Sequence, residues 1–124
     1  MTKLNQIYKC ELCGNIVEVV CEGGGSLKCC ETEMKLLNEN SVDAAKEKHV
    51  PEYKVEDGVC KVVVGSTAHP MGTDHLIEWI QVIDGKKVMR KCLSATDEPK
   101  AEFCVKNDNP VVRAYCNLHG LWKA

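Results

Sequence analysis

The sequence predicts an all-β chain in two parts, a small metal-knuckle domain over residues 1–37 and an antiparallel β-sandwich over residues 38–124. Three observations predict it. Cys10, Cys13, Cys29 and Cys30 stand in a C-x2-C-x15-C-C pattern within a segment too short to bury a core of its own. Beyond Pro51, short apolar runs recur at roughly eight- to twelve-residue intervals between turn signals. No helical period runs between them. Strands so spaced indicate a sandwich of immunoglobulin-like type.

Taken in order, Ile7-Tyr8-Lys9 leads into the first cysteine pair, Ile16 to Val20 is a strand, and Gly23-Gly24-Gly25 is a turn. Four thiolates at this spacing surround one tetrahedral ion, whose binding then supplies much of the folding free energy. A standard zinc ribbon separates both of its cysteine pairs by two residues. The adjacent Cys29-Cys30 cannot relax into that geometry, so a distorted four-sulfur site is expected. Residues 38–48 are polar and read as a linker, with a single helical turn over 41–46 capped by Asn40 or Ser41. Glu52 to Glu56 and Val59 to Val64 flank Asp57-Gly58, a two-residue hairpin signal. His75 to Ile83 and Lys86 to Leu93 flank Asp84-Gly85 in the same way. Ala101 to Lys106 and Val111 to Cys116 are separated by Asn107-Asp108-Asn109-Pro110. The run from His75 to Ile83 does not alternate cleanly and assigns no faces.

A net charge of −2 and the lack of a dense Lys/Arg cluster argue against a nucleic-acid binder. No run approaches the roughly twenty apolar residues of a membrane span. The first ten residues hold no apolar signal-peptide core, so a cytoplasmic, reducing location is expected. There, nine cysteines mean metal ligation or buried thiols more readily than disulfides. Cys60, Cys92 and Cys104 fall within expected strands and read as small buried hydrophobes. Cys21, at a strand end, is a competitor for a place at the first metal.

The four histidines all fall at loops or strand ends, where a rigid sandwich presents functional side chains. His49 precedes Val50-Pro51, His69 and His75 bracket Pro70 to Asp74, and His119 follows Cys116 in a C-x2-H pattern. Singly each is unremarkable. Jointly they offer four imidazoles and one thiolate, more donors than zinc ordinarily takes and suited to an iron with one open position. A thiolate opposite that position would push electron density onto the metal.

On these residues the chain resembles the two-iron superoxide reductases, the desulfoferrodoxins. The resemblance covers nearly the whole length and rests on Cys10-x2-Cys13 with Cys29-Cys30, Glu47-Lys48-His49-Val50-Pro51, Ala68-His69-Pro70-Met71, His75, and Tyr115-Cys116-Asn117-Leu118-His119-Gly120. It implies a desulforedoxin-like first domain with an Fe(Cys)4 centre held by Cys10, Cys13, Cys29 and Cys30. It implies a second iron with His49, His69, His75 and His119 equatorial and Cys116 axial. The implied reaction is the one-electron reduction of superoxide to hydrogen peroxide, without evolution of oxygen. Read alone, Lys46-Glu47-Lys48 is a solvated charge run. The resemblance makes Lys48 the group that steers the anion and organises proton delivery, and Glu47 the carboxylate that takes the open position in the resting enzyme. It implies a homodimer and re-reduction by a small donor such as a rubredoxin.

Two other readings compete. In one the protein is a non-enzymatic Fe(Cys)4 electron carrier and the histidines are incidental. In the other it is a zinc-ribbon interaction module with a sandwich partner domain. Four histidines and a thiolate at loop ends weigh against the carrier, and the acidic balance leaves the module without a nucleic-acid target.

Overall fold

The structure, a computed structural model, describes residues 1–41, 49–65 and 69–124. Its described residues contain twelve strands and no helix, in two compact units, Met1–Asn38 and Glu39–Ala124. The helical turn expected over 41–46 falls mostly outside the described residues, as do Glu47 and Lys48. No described helix is long and apolar enough to cross a membrane.

The first unit is built on β1 (Ile7–Lys9), β2 (Ile16–Glu18), β3 (Lys28–Cys29), β4 (Thr32–Glu33) and β5 (Lys35–Leu36). A three-stranded antiparallel sheet has the order β2-β1-β5, and β3 and β4 form a separate hairpin. The β1–β2 connection is the first cysteine knuckle, closed by hydrogen bonds from Cys10 N to Asn15 O (2.8 Å) and from Gly14 N to Cys10 O (2.9 Å). The glycine-rich turn is tied to the N-terminus, because the Thr2 hydroxyl donates to Gly23 O (3.1 Å) and accepts from Gly23 N (2.9 Å). Only Ile7, Cys10 and Val19 are buried apolar side chains among the described residues of this unit. So little apolar burial cannot offset chain entropy, and the unit depends on its sulfur cluster.

The second unit is a sandwich of two antiparallel sheets, as expected. Its strands are β6 (Pro51–Glu56), β7 (Val59–Val64), β8 (Ile77–Asp84), β9 (Lys87–Cys92), β10 (Lys100–Cys104), β11 (Val111–Cys116) and β12 (Gly120–Lys123). The sheets have the orders β10-β7-β6 and β12-β11-β8-β9. Cys60, Val62 and Val64 of β7 face Ile80, Val82, Val112 and Ala114 across the core, all at most 1% exposed. Each such side chain contributes roughly 1.5–3 kcal/mol of burial before entropy is counted.

The missing alternation in β8 has a physical cause. This strand lies inside its sheet and is covered on both faces. Ile80 and Val82 enter the core, while Gln81 and Trp79 lie under a second layer. In that layer Trp79 stacks on Tyr115 (5.8 Å) and the Arg90 guanidinium sits 4.9 Å from the Trp79 ring centre. Buried Arg113 donates through Nε to Gln81 Oε1 (2.8 Å) and through a terminal nitrogen to Glu39 (3.0 Å). A register shift between Tyr115 and Cys116 adds to the irregularity.

Three details depart from the sequence expectation. The β8–β9 turn is Gly85-Lys86, one residue later than expected, with Asp84 paired to Lys87 inside the ladder. Gly85 has φ +62°, and placing glycine first in the turn satisfies the positive φ of a tight hairpin. Asp84 is drawn into the strand because its carboxylate accepts hydrogen bonds from Lys106 N (2.7 Å) and Asn107 N (3.3 Å). Cys60 is buried as expected, but Cys92 and Cys104 are exposed, since they fall on the outward positions of β9 and β10. The last strand, β12, was not anticipated.

Candidate metal centres

In the first unit the knuckle and the β3–β4 hairpin bring Cys10, Cys13, Cys29 and Cys30 together, with every sulfur within 4.8 Å of the others. Cys13 Sγ lies 3.5 Å from Cys29 Sγ, and Cys29 Sγ lies 3.9 Å from Cys30 Sγ. Sulfurs on a tetrahedral ion at about 2.3 Å would be separated by roughly 3.8 Å, so the spacing fits. The adjacent pair is accommodated by backbone strain. Cys30 and Glu31 are the two turn residues of the hairpin, with φ +54° and +61°, a left-handed conformation that L-residues other than Asn and Asp rarely adopt.

Their electrostatics point the same way. The Cys13 N–H, 3.5 Å from Cys10 Sγ, holds the Cys10 thiol down at about 7. Cys30 is pushed up to about 12 by the neighbouring Cys13 and Cys29 sulfurs. Four thiolates here require a cation to be ionised together. Asn15 Nδ2 adds a donor 3.8 Å from Cys29 Sγ. Cys21 is exposed and is not one of the four.

In the second unit His49 lies just before β6, His69 beyond β7, His75 just before β8, Cys116 at the end of β11 and His119 in the β11–β12 turn. Neighbouring imidazole centres are 4.9 Å apart for His49–His69, 4.6 Å for His69–His75, 5.0 Å for His75–His119 and 4.6 Å for His49–His119. The diagonal His49–His75 is 6.4 Å. The four rings thus form a near-square. Donor atoms of His49, His75, Cys116 and His119 all lie within 4.8 Å of one another, a group that does not include His69.

The donor chemistry fits a metal. His49 Nε2 and His119 Nδ1 are 2.9 Å apart, the separation of neighbouring nitrogens on an ion with bonds of about 2.1 Å. Cys116 Sγ, fully buried, lies 3.7 Å from His119 Nδ1. His69 donates through Nδ1 to Pro70 O (2.7 Å), which fixes its tautomer and leaves the lone pair on Nε2. His75 Nε2 is buried without a hydrogen-bond partner, the state of a nitrogen reserved for a metal. Four imidazoles and a thiolate exceed the tetrahedral need of zinc and suit an iron of higher coordination.

Sequence reasoning missed the side chains that hold this cluster in shape. Trp122 stacks on His49 (4.8 Å, 19°) and donates through Nε1 to His119 O (3.1 Å). Asn40 N and Nδ2 both donate to Leu121 O (3.0 Å each), fastening the linker to β12. Asn117 links the β11–β12 turn to the His75 loop. The available signal was Leu121-Trp122 after Gly120, an apolar pair long enough for a short strand.

Comparison with known proteins covers both units. Residues 2–37 match the family model described as Desulfoferrodoxin, N-terminal domain, and residues 41–124 match the one described as Desulfoferrodoxin. The desulfoferrodoxin homolog of Archaeoglobus fulgidus is 55% identical over 124 residues, covering 100% of this chain and 99% of its own length. Among solved structures, the superoxide reductase from Treponema pallidum superposes with a TM-score of 0.81 at 27% identity, covering 96% of each chain. The superoxide reductase (1Fe-SOR) from Giardia intestinalis gives 0.57 at 32% identity, covering 64% of this chain and 96% of its own.

Proposed function

The chain belongs to the desulfoferrodoxin family, and from that premise we propose that it is a superoxide reductase, an iron-dependent oxidoreductase that converts superoxide to hydrogen peroxide without evolving oxygen. It carries two iron ions, one Fe(Cys)4 and one Fe(His)4(Cys). The observation that carries the reading is the square of four imidazoles beside the buried Cys116 thiol. An electron carrier working through the cysteine cluster alone would leave that square without a task.

In this reading Cys10, Cys13, Cys29 and Cys30 hold the first iron in a desulforedoxin-like domain over residues 1–37. His49, His69, His75, His119 and Cys116 would hold the second, in an immunoglobulin-like domain over 38–124. When bound, the second iron would supply the one reducing electron that superoxide takes up. The chain supplies the rest. The Cys116 thiolate raises electron density at the site, and its burial keeps it from solvent and from competing oxidation. Pro70 O, holding the His69 Nδ1 proton, keeps Nε2 turned toward the cluster. Lys48 draws in the anion and orders the water that delivers two protons. Glu47 would supply a carboxylate that helps peroxide leave. A small donor such as a rubredoxin returns the electron, and the protein works as a homodimer in the cytoplasm.

The test is stopped-flow mixing of the reduced protein with superoxide, alongside metal analysis and a visible spectrum. The expected result is one peroxide per superoxide consumed, no oxygen, two irons per chain, and a thiolate-to-iron(III) band beside the spectrum of the Fe(Cys)4 centre. One iron and no such band would favour the carrier, and colourless protein with zinc the interaction module.

A further inference from the structure

We propose that Asn117 is a positioning residue that locks His75 to Cys116 and so sets the geometry of the second centre. It rests on the iron site just proposed but not on the superoxide chemistry. Asn117 directly follows Cys116 in the chain. Its side chain grips the backbone on both sides of His75, donating through Nδ2 to Asp74 O (3.0 Å) and accepting through Oδ1 from Leu76 N (3.0 Å). Its own N–H donates to Leu76 O (3.2 Å). Three hydrogen bonds therefore bracket a single histidine.

Each of the other imidazoles has its own support. His69 is held by Pro70 O, His49 by the Trp122 ring, and His119 through its carbonyl by Trp122 Nε1. For His75 the brace is the backbone grip of Asn117 on its two chain neighbours. The strand ladder cannot supply one, because the β8–β11 register shifts between Tyr115 and Cys116 and both strands end at the loop. Gly72 N donates to His75 O (2.9 Å) and Ile77 N to Met71 Sδ (3.4 Å), which close the loop on itself and on the start of β8 without tying it to β11. The clamp needs a carboxamide in particular, since it must donate and accept at once. Aspartate would keep the Leu76 bond and repel Asp74 O, and alanine would keep neither.

The experiment compares Asn117→Ala and Asn117→Asp with the parent full-length protein. The readouts are iron affinity by chelator competition, the position of the thiolate-to-iron(III) band, and hydrogen exchange of the Leu76 amide in metal-free protein. The Fe(Cys)4 spectrum in the same molecule is the internal reference. Asn117→Ala is expected to weaken the second centre about 10- to 100-fold in iron affinity, to shift its band and to speed Leu76 exchange, with the first centre unchanged. Asn117→Asp, which also controls for folding, should fall between Asn117→Ala and the parent. An Asn117→Ala protein whose second centre stays within about twofold of the parent in affinity, with an unshifted band, would overturn the assignment. So would loss of both centres together, which would make Asn117 a support of the fold and not of the site. Superoxide turnover is not among the readouts, so the clamp and the proposed reaction stand or fall separately.

Discussion

Lys48 carries the charge argument for the proposed reaction, because the substrate is an anion and the chain's net charge is −2. Replacing it with isoleucine should slow the second-order reaction with superoxide about tenfold and flatten its ionic-strength dependence. An unchanged rate in stopped flow would remove Lys48 from the mechanism. Asp84 makes a different prediction at the far end of the sandwich. The Lys106 N–H, then the Asn107 side chain, hold its carboxyl below its ordinary value of 3.8. A lowered carboxyl stabilises the fold above that value, and the benefit is lost as pH falls through the folded-state value. Asp84→Asn should therefore be less stable than the parent at pH 7, with the gap closing below about pH 3.8 in paired denaturation curves. At this scale the side chains that gather into the two clusters were legible, because metal chemistry is written in residue type and spacing. Asn117 and Trp122 were not. A carboxamide clamp and a ring stack gain meaning only from what lies across the fold.

At the scale of elements, strands bounded by strong turn signals were legible and those shaped by neighbours were not. Asp57-Gly58 marked the β6–β7 hairpin correctly, since both residues take the positive φ of a tight two-residue turn, +50° and +75°. Asp84 misled by one residue because tertiary hydrogen bonds drew it into the ladder. Cys92 and Cys104 misled because apolar character was read without a face, and each lies on an outward position of a strand at a sheet edge. The strand β12 was too short for periodicity to reveal, yet it seats Trp122 against His49. Its entry depends on Gly120, paired with Cys116 at φ +89°. Gly120→Ala should cost about 1–2 kcal/mol from the left-handed backbone alone, read as a lower urea midpoint. It should also disturb the second centre's band and leave the Fe(Cys)4 spectrum as it was.

For the molecule as a whole, the two units differ in what keeps them folded. The sandwich has the cluster around Val62, Val64, Ile80, Val82 and Val112, while the first unit has Ile7, Cys10 and Val19. Removing iron should abolish amide protection over residues 1–38 and leave the sandwich core protected, as hydrogen exchange read by mass spectrometry would report. Equal protection in both units would show that the first has a core of its own. The same contrast has a consequence for how the protein matures. Cys10 and Cys30 are twenty positions apart, so an unstructured chain can wrap an ion and fold around it. The second square joins His49 to His119 across seventy positions, from loops belonging to both sheets. No nascent segment holds that constellation. Iron must reach it after the sandwich has closed, which makes the first centre a template for folding and the second a late guest in a finished house.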